Sequence, residues 1–131
     1  FPYNEIETNG TISIRDELFN RLDQINCSPK LSNSGIDKKY RVRDKVIRRI
    51  QEHNKHQFKF VISTEDDVKE IIRDFVEPFQ MDEDTVVLMP GLDKQDDFHE
   101  RTRFVMEMAK KYGFIGLTRM HISAWDATTG V

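Results

Sequence analysis

The chain has 131 residues and a formal net charge of −3 at pH 7, which allows one domain with a modest core and argues against a generally basic nucleic-acid binder. No apolar run approaches the roughly 18 residues of a membrane span. A single cysteine, Cys27, cannot form an internal disulfide or hold a zinc or iron–sulfur site alone. We therefore expect one cytoplasmic domain over residues 1–131, with no membrane or nucleic-acid partner.

Strand and helix patterns alternate along the chain, as in parallel β-α-β units. The predicted strands cover residues 3–7, 24–27, 58–62, 85–89 and 117–125. The predicted helices are a short one through Ile14, Leu18 and Leu22, then residues 37–54, a segment from the Ser63–Thr64 cap to Phe79, and residues 97–112 before a capping Gly113. This order predicts an α/β fold with mostly parallel strands and amphipathic helices outside.

The apolar spacing within the three longer helices indicates which face packs on the sheet. These faces consist of Val42, Val46, Ile47 and Ile50, then Val68, Ile71, Ile72, Phe75, Val76 and Phe79, and finally Phe98, Thr102, Val105, Ala109 and Tyr112.

Polar and turn-forming clusters follow the predicted strands: ETNG, SPK, STED and MPG. In parallel sheets, ligands bind beyond the carboxyl ends of the strands, so these clusters predict a site at that edge. Gly10 would let a ligand approach the backbone, or would simply serve a turn. Lys30 would contact a carboxylate or a ribose, or would be a solvent-exposed turn lysine. The MPG turn has the same two interpretations, with an adenine ring as the ligand.

Other polar groups have simpler interpretations. The basic run of Lys38, Lys39, Arg41, Arg43, Lys45, Arg48 and Arg49 favours a solvated helix face over a nucleic-acid site. His53 and His56 lack an obvious third metal ligand and are expected on the surface, whereas Cys27 is expected in the core. In the last predicted strand, one face would point Arg119 and His121 into a cleft, unless it is an edge strand with a solvated face.

An ordered set of motifs carries a family resemblance: IETNGT, CSPKLSNSG, KFVISTED, VLMPG, AKKYGF, RMHISAW and TGV. Together they resemble the C-terminal part of the 7-carboxy-7-deazaguanine synthase family, radical S-adenosylmethionine enzymes of queuosine and deazapurine biosynthesis. The resemblance implies a partial (β/α) barrel. It also implies a 4Fe-4S cluster that binds and cleaves S-adenosylmethionine, and a magnesium-assisted, ammonia-releasing conversion of 6-carboxytetrahydropterin to 7-carboxy-7-deazaguanine.

The resemblance also assigns roles to residues of this chain. Substrate contacts would come from Thr8, from the free carboxylate of Val131, and from Glu7 and Arg119. His121 would be the catalytic residue. S-Adenosylmethionine would be held by Gly10, Ser28, Pro29, Lys30, Met89, Pro90, Gly91 and Leu92, with the last four near its adenine.

The family's three-cysteine motif, C-x3-C-x2-C, is absent from the sequence, as is its magnesium ligand. We therefore expect the C-terminal portion of a longer enzyme, or a separate half that pairs with another chain, and no activity alone. Its first strand would be central in the complete barrel and is expected to be an edge here, so the chain would dimerise, aggregate or bind its missing half. The alternative is a non-catalytic α/β domain that binds a nucleotide or a partner.

Overall fold

The computed structural model describes residues 3–91 and 95–117, in which five strands form one parallel sheet. The strands are β1 (Glu5–Thr8), β2 (Gln24–Cys27), β3 (His56–Ile62), β4 (Val86–Pro90) and β5 (Ile115–Gly116). Each strand pairs in parallel with the next, so the order in the sheet follows the order in the chain. The predicted α/β class and parallel strands are confirmed, and this order is that of part of a (β/α) barrel.

Helices connect successive strands. They are α1 (Asp16–Phe19), α2 (Lys38–Arg41), α3 (Asp44–Gln51), α4 (Glu65–Ile71), α5 (Glu77–Phe79) and α6 (Gln95–Tyr112), with a π-helical turn at Ile72–Val76 between α4 and α5. Right-handed crossovers between neighbouring parallel strands place such helices on one side of the sheet. None of the helices in the described part of the chain has the length and apolar character needed to cross a membrane.

The two faces of the sheet differ in chemistry, as β3 illustrates. Its residues Phe58, Phe60 and Ile62 are fully buried, and Phe60 packs against Phe75 with ring centroids 5.1 Å apart. The alternate residues of β3 lie on the opposite face, because successive side chains of a strand point to opposite sides. On β1, β2 and β3, this opposite face carries polar side chains, and we call it the polar face. Its residues are Glu5, Glu7, Gln24, Asn26, Gln57 and Lys59.

The prediction of one continuous helix over residues 37–54 is wrong. It is divided into α2 and α3 by Val42 and Arg43, whose backbones are extended (φ −112° and −108°). Val46, Ile47 and Ile50 nevertheless lie in the core, as their spacing predicts.

The first predicted helix is also shorter than expected. It is the single turn α1, where Phe19 is buried and Leu18 is 39% exposed. A one-turn helix does not repeat its face, so the i, i+4 spacing does not place Leu18 inside. The later helix predictions hold better: Phe98, Val105 and Ala109 are buried on α6, and Gly113 ends it with a φ of +81°.

His53 is not a surface residue as predicted but is 6% exposed. Its Nε2 lies 2.8 Å from the carbonyl oxygen of Leu22, its Nδ1 accepts the Lys55 backbone N–H at 3.0 Å, and its ring meets Phe19 edge-on. These contacts close the end of the sheet opposite the predicted site. Among the described residues, no group of three histidine, cysteine or acidic side chains is arranged to hold a metal.

Candidate ligand site at the carboxyl edge of the sheet

The ETNG and SPK turns lie side by side, because β1 and β2 are parallel neighbours. Their junction is a hydrogen bond in which the Ser28 N–H donates to the Thr8 carbonyl oxygen at 2.7 Å. Glu7, Thr8, Asn9, Ser28 and Lys30 line a recess of about 340 Å³ at this edge. Four residues singled out in the sequence are thus brought together around one recess: Glu7, Thr8, Ser28 and Lys30.

Gly10 closes the first turn and is itself buried. Its φ of +79° lies in the left-handed region, and its N–H donates to Thr8 Oγ1 at 3.2 Å. A Cβ at this position would lie 2.9 Å from the Cys27 sulfur. Glycine is therefore required by the close packing of the ETNG turn on β2 as well as by the backbone angle.

A second recess of about 290 Å³ adjoins the first and shares Ser28 and Lys30 with it. Its lining consists of Ser28, Pro29, Lys30, Leu31, Asn33, Ser34, Lys59 and Val61. Lys30 has an exposed side chain and lies between the two recesses, while Pro29 is buried. The structure thus places the SPK turn where both recesses can be reached.

Two buried charges support the loop that follows this turn. Arg41 donates from Nε to the Ile36 carbonyl at 2.6 Å and from Nη1 to the Lys30 carbonyl at 3.4 Å. Glu70 accepts hydrogen bonds from the Ser32 N–H at 2.8 Å and the Ser32 hydroxyl at 2.6 Å. The two side chains also pair with each other at 3.5 Å. Arg41 is therefore a buried structural residue, and its prediction as part of a solvated helix face is wrong.

The MPG turn borders the second recess through Val61. Met89 and Pro90 pair with Val61 and Ile62 across β3 and β4. A Cβ on Gly91 would collide with Val61 Cγ1, so a glycine lets this turn close onto β3. Met89, Pro90 and Gly91 thus adjoin the recess without lining it. The other predicted site residues, Leu92, Arg119, His121 and Val131, lie outside the described residues. The strand predicted over residues 117–125 lies outside them too, except for Leu117, which follows β5 and is not part of a strand.

The polar face contains site residues that the sequence reasoning missed. Asn26 is fully buried, and its amide nitrogen donates to Glu7 Oε2 at 2.6 Å and to a carboxylate oxygen of Glu5. Its Oδ1 accepts from Gln24 Nε2 at 2.7 Å. Asn26 therefore fixes the Glu7 carboxylate beneath the ETNG turn. The polar alternation of EIE and QIN is the signal that identifies this face from sequence.

Cys27 does not have the character of a metal ligand. It is fully buried, as predicted, and burial raises the pKa of its thiol from 9.0 to about 12. A cluster ligand is a thiolate, and burial in apolar surroundings disfavours that form. The residues at this site do not fit an iron–sulfur cluster.

The sequence of the chain was compared with those of known proteins. A 7-carboxy-7-deazaguanine synthase from Pyrobaculum aerophilum is 33% identical to the chain over 126 residues, which is 96% of the chain. The family resemblance is confirmed. The chain spans about half, 54%, of that relative's length. A scan against protein-family models gives no match.

Proposed function

We propose that the chain forms the part of a 7-carboxy-7-deazaguanine synthase-like radical S-adenosylmethionine lyase that contacts cofactor and substrate. The observation that carries this proposal is the convergence of Glu7, Thr8, Ser28 and Lys30 on one recess at the carboxyl edge. This is the edge where parallel α/β enzymes bind ligands. The same residues lie in motifs of a chain that is 33% identical to such a synthase.

Each residue at the edge has a role in the proposal. Ser28 and Lys30 donate hydrogen bonds to polar groups of S-adenosylmethionine, and the buried Pro29 fixes the turn between them. Thr8 contacts the 6-carboxytetrahydropterin substrate, next to the Glu7 carboxylate that Asn26 orients. Met89, Pro90, Gly91 and Leu92 flank the adenine, whereas Gly10 shapes the floor of the cofactor site. His121 is the catalytic residue, and Arg119 and the Val131 carboxylate contact the substrate.

In this proposal, the chain does not supply the ligands of the iron–sulfur cluster. Its chemistry in this family is the one-electron cleavage of S-adenosylmethionine, and the buried Cys27 does not fit the role of a ligand. We propose that the three cysteine ligands and the magnesium ligand come from outside these 131 residues, in a cluster-bearing half or a partner chain. The work of this chain is to bind and orient both ligands and to exclude water from them.

The test is anaerobic complementation. The chain is mixed with the cluster-bearing half of the Pyrobaculum aerophilum synthase, the cluster is reconstituted, and 5′-deoxyadenosine and 7-carboxy-7-deazaguanine are measured by mass spectrometry. Product is expected with the wild-type chain. A Lys30→Ala variant is expected to lose most of it, whereas Lys39→Ala, at an exposed position of α2, keeps it.

Two results would count against the proposal. If the two halves associate and carry a cluster but make neither product, the chain is not part of this enzyme. Wild-type turnover by a Lys30→Ala, His121→Ala double variant would show that the roles proposed for these two residues are wrong. The rival function, a non-catalytic nucleotide- or partner-binding domain, is favoured by the unsuitability of Cys27 as a ligand, and it predicts S-adenosylmethionine binding without turnover.

A further inference from the structure

Two lysines from different parts of the fold reach the same recess. Lys30 comes from the loop after β2, and Lys59 comes from the polar face of β3; both line the 290 Å³ recess. Cys27 pairs with Phe58 across β2 and β3, so the next residues, Ser28 and Lys59, lie at the same level of the sheet. Lys59 is half-buried and held on a strand, which restricts where its ammonium group can go.

The recess has a positive character. Among the described residues, its lining contains two lysines, the Ser28 hydroxyl, the Asn33 amide and no acidic side chain. The Ser34 hydroxyl also lines it but donates to the Leu31 carbonyl oxygen at 2.7 Å. Among the described residues, neither Lys30 nor Lys59 has an ion-pair partner. On the polar face, the carboxylates of Glu5 and Glu7 are both bonded by the Asn26 amide. Two ammonium groups with no ion-pair partner among the described residues, beside the Ser28 hydroxyl and the Asn33 amide, form a setting suited to an anion.

We propose that Lys59, together with Lys30, forms a subsite for a ligand carboxylate. The inference rests on the proposed function, since both ligands named there carry one: S-adenosylmethionine on its methionine part and the pterin at its 6-position. The recess is larger than a carboxylate group, so it has room for the part of the ligand that bears it. Lys59 supplies charge from a rigid strand, and Lys30 supplies it from the supported loop.

The experiment compares ligands that differ only in the carboxylate. Calorimetry measures binding of S-adenosylmethionine against its decarboxylated analogue, and of 6-carboxypterin against pterin, to the full chain alone and with the cluster-bearing half. The wild-type chain is expected to prefer the carboxylated member of one pair by about tenfold or more, as for a charge-assisted hydrogen bond. The pair that shows the preference identifies the source of the carboxylate.

The variants then assign the preference to Lys59. Lys59→Gln is expected to abolish most of the preference, Lys59→Arg to retain much of it, and Lys45→Gln, at an exposed position on α3, to leave it unchanged. A folded Lys59→Gln protein that keeps the full preference in both pairs would overturn the subsite.

A second measurement separates this inference from the proposed function. Sodium acetate is titrated while the side-chain amine signals of nitrogen-15-labelled lysines are followed by NMR. Saturable shifts of the Lys59 signal support the subsite even if neither S-adenosylmethionine nor the pterin binds. In that case only the proposed function fails. A Lys59 signal that acetate does not move, with Lys45 as the reference, overturns the subsite.

Discussion

Arg41 and Glu70 form an ion pair beneath the loop that carries Lys30, with side chains only 6% and 9% exposed. Each also bonds to that loop: Arg41 to the carbonyl oxygens of Lys30 and Ile36, and Glu70 to the backbone and hydroxyl of Ser32. One buried pair thus joins α2, α4 and the SPK loop. We infer that this pair positions Lys30 without touching a ligand itself.

Replacing Glu70 by Gln is expected to destabilise the chain by roughly 3 kcal/mol, because a buried guanidinium is left without its counter-charge. The loop should loosen as well, so that amide hydrogen exchange at Ser32 speeds up and affinity for S-adenosylmethionine falls although Lys30 is unchanged. Urea unfolding measures the first effect and calorimetry the last.

Glu52→Gln serves as the matched control for this change. Glu52 also pairs with an arginine, Arg49, but its side chain is 60% exposed. Its loss should change the free energy of unfolding by about 0.5 kcal/mol or less. If Glu70→Gln is no more harmful than Glu52→Gln, the positioning role is wrong.

Gly10→Ala should destabilise the chain for two separable reasons. An L-residue at a φ of +79° costs about 1–2 kcal/mol. The new methyl would also collide with the Cys27 sulfur, adding about 1–3 kcal/mol of overpacking. In a Cys27→Ala background the collision is removed, so the same substitution should cost less there. Equal costs in both backgrounds, measured by urea unfolding, would exclude the packing explanation.

Burial of Cys27 makes stability depend on alkaline pH. Burial raises its pKa to about 12 in the folded chain from 9.0, so the unfolded chain loses this proton first. The contribution is fully present below pH 9 and is lost as the pH rises toward 12, at up to about 1.4 kcal/mol per pH unit. Cys27→Ala should flatten the dependence of unfolding free energy on pH in that range; an unchanged slope would contradict the assignment.

Glu65 should make stability depend on pH in the opposite direction, so that the free energy of unfolding falls as the pH is lowered into the acid range. Hydrogen bonds from Lys111 and Tyr112, both at 2.6 Å, lower the pKa of this carboxyl and tie the end of α6 to the start of α4. A lowered folded-state pKa stabilises the fold above the ordinary carboxyl pKa, and this contribution is lost as the pH falls through the folded value. Lys111→Met should make acid unfolding less steep in pH, whereas Lys110→Met, one residue earlier, should not.

The elements that sequence predicts well are those whose signals are local. β2 begins and ends where predicted, because its apolar run is followed directly by Ser-Pro. Thr64 caps α4 as expected, in a capping box with Asp67, and Gly113 ends α6 in the left-handed conformation that favours glycine. Each of these features depends on residues within one turn of each other.

The features that sequence misses depend on contacts between distant segments. The burial of His53 follows from the Leu22 carbonyl and the Phe19 ring, and that of Arg41 from Glu70 on another helix. Nothing in the basic run marks Arg41 apart from its neighbours. Lys59 is an intermediate case: the alternation of FKF places it opposite the core, but only the fold brings it to Lys30.

S-Adenosylmethionine is proposed to bind at the carboxyl edge of this sheet. Hydrogen–deuterium exchange of the chain with its cluster-bearing half, with and without saturating S-adenosylmethionine, locates the bound ligand. We expect slower exchange in the segments around residues 8–10, 28–34 and 89–91, and no change around residues 20–22 and 52–54 at the opposite end. Protection confined to the opposite end, or none at the carboxyl edge when binding is saturated, would show that this edge is not the binding site.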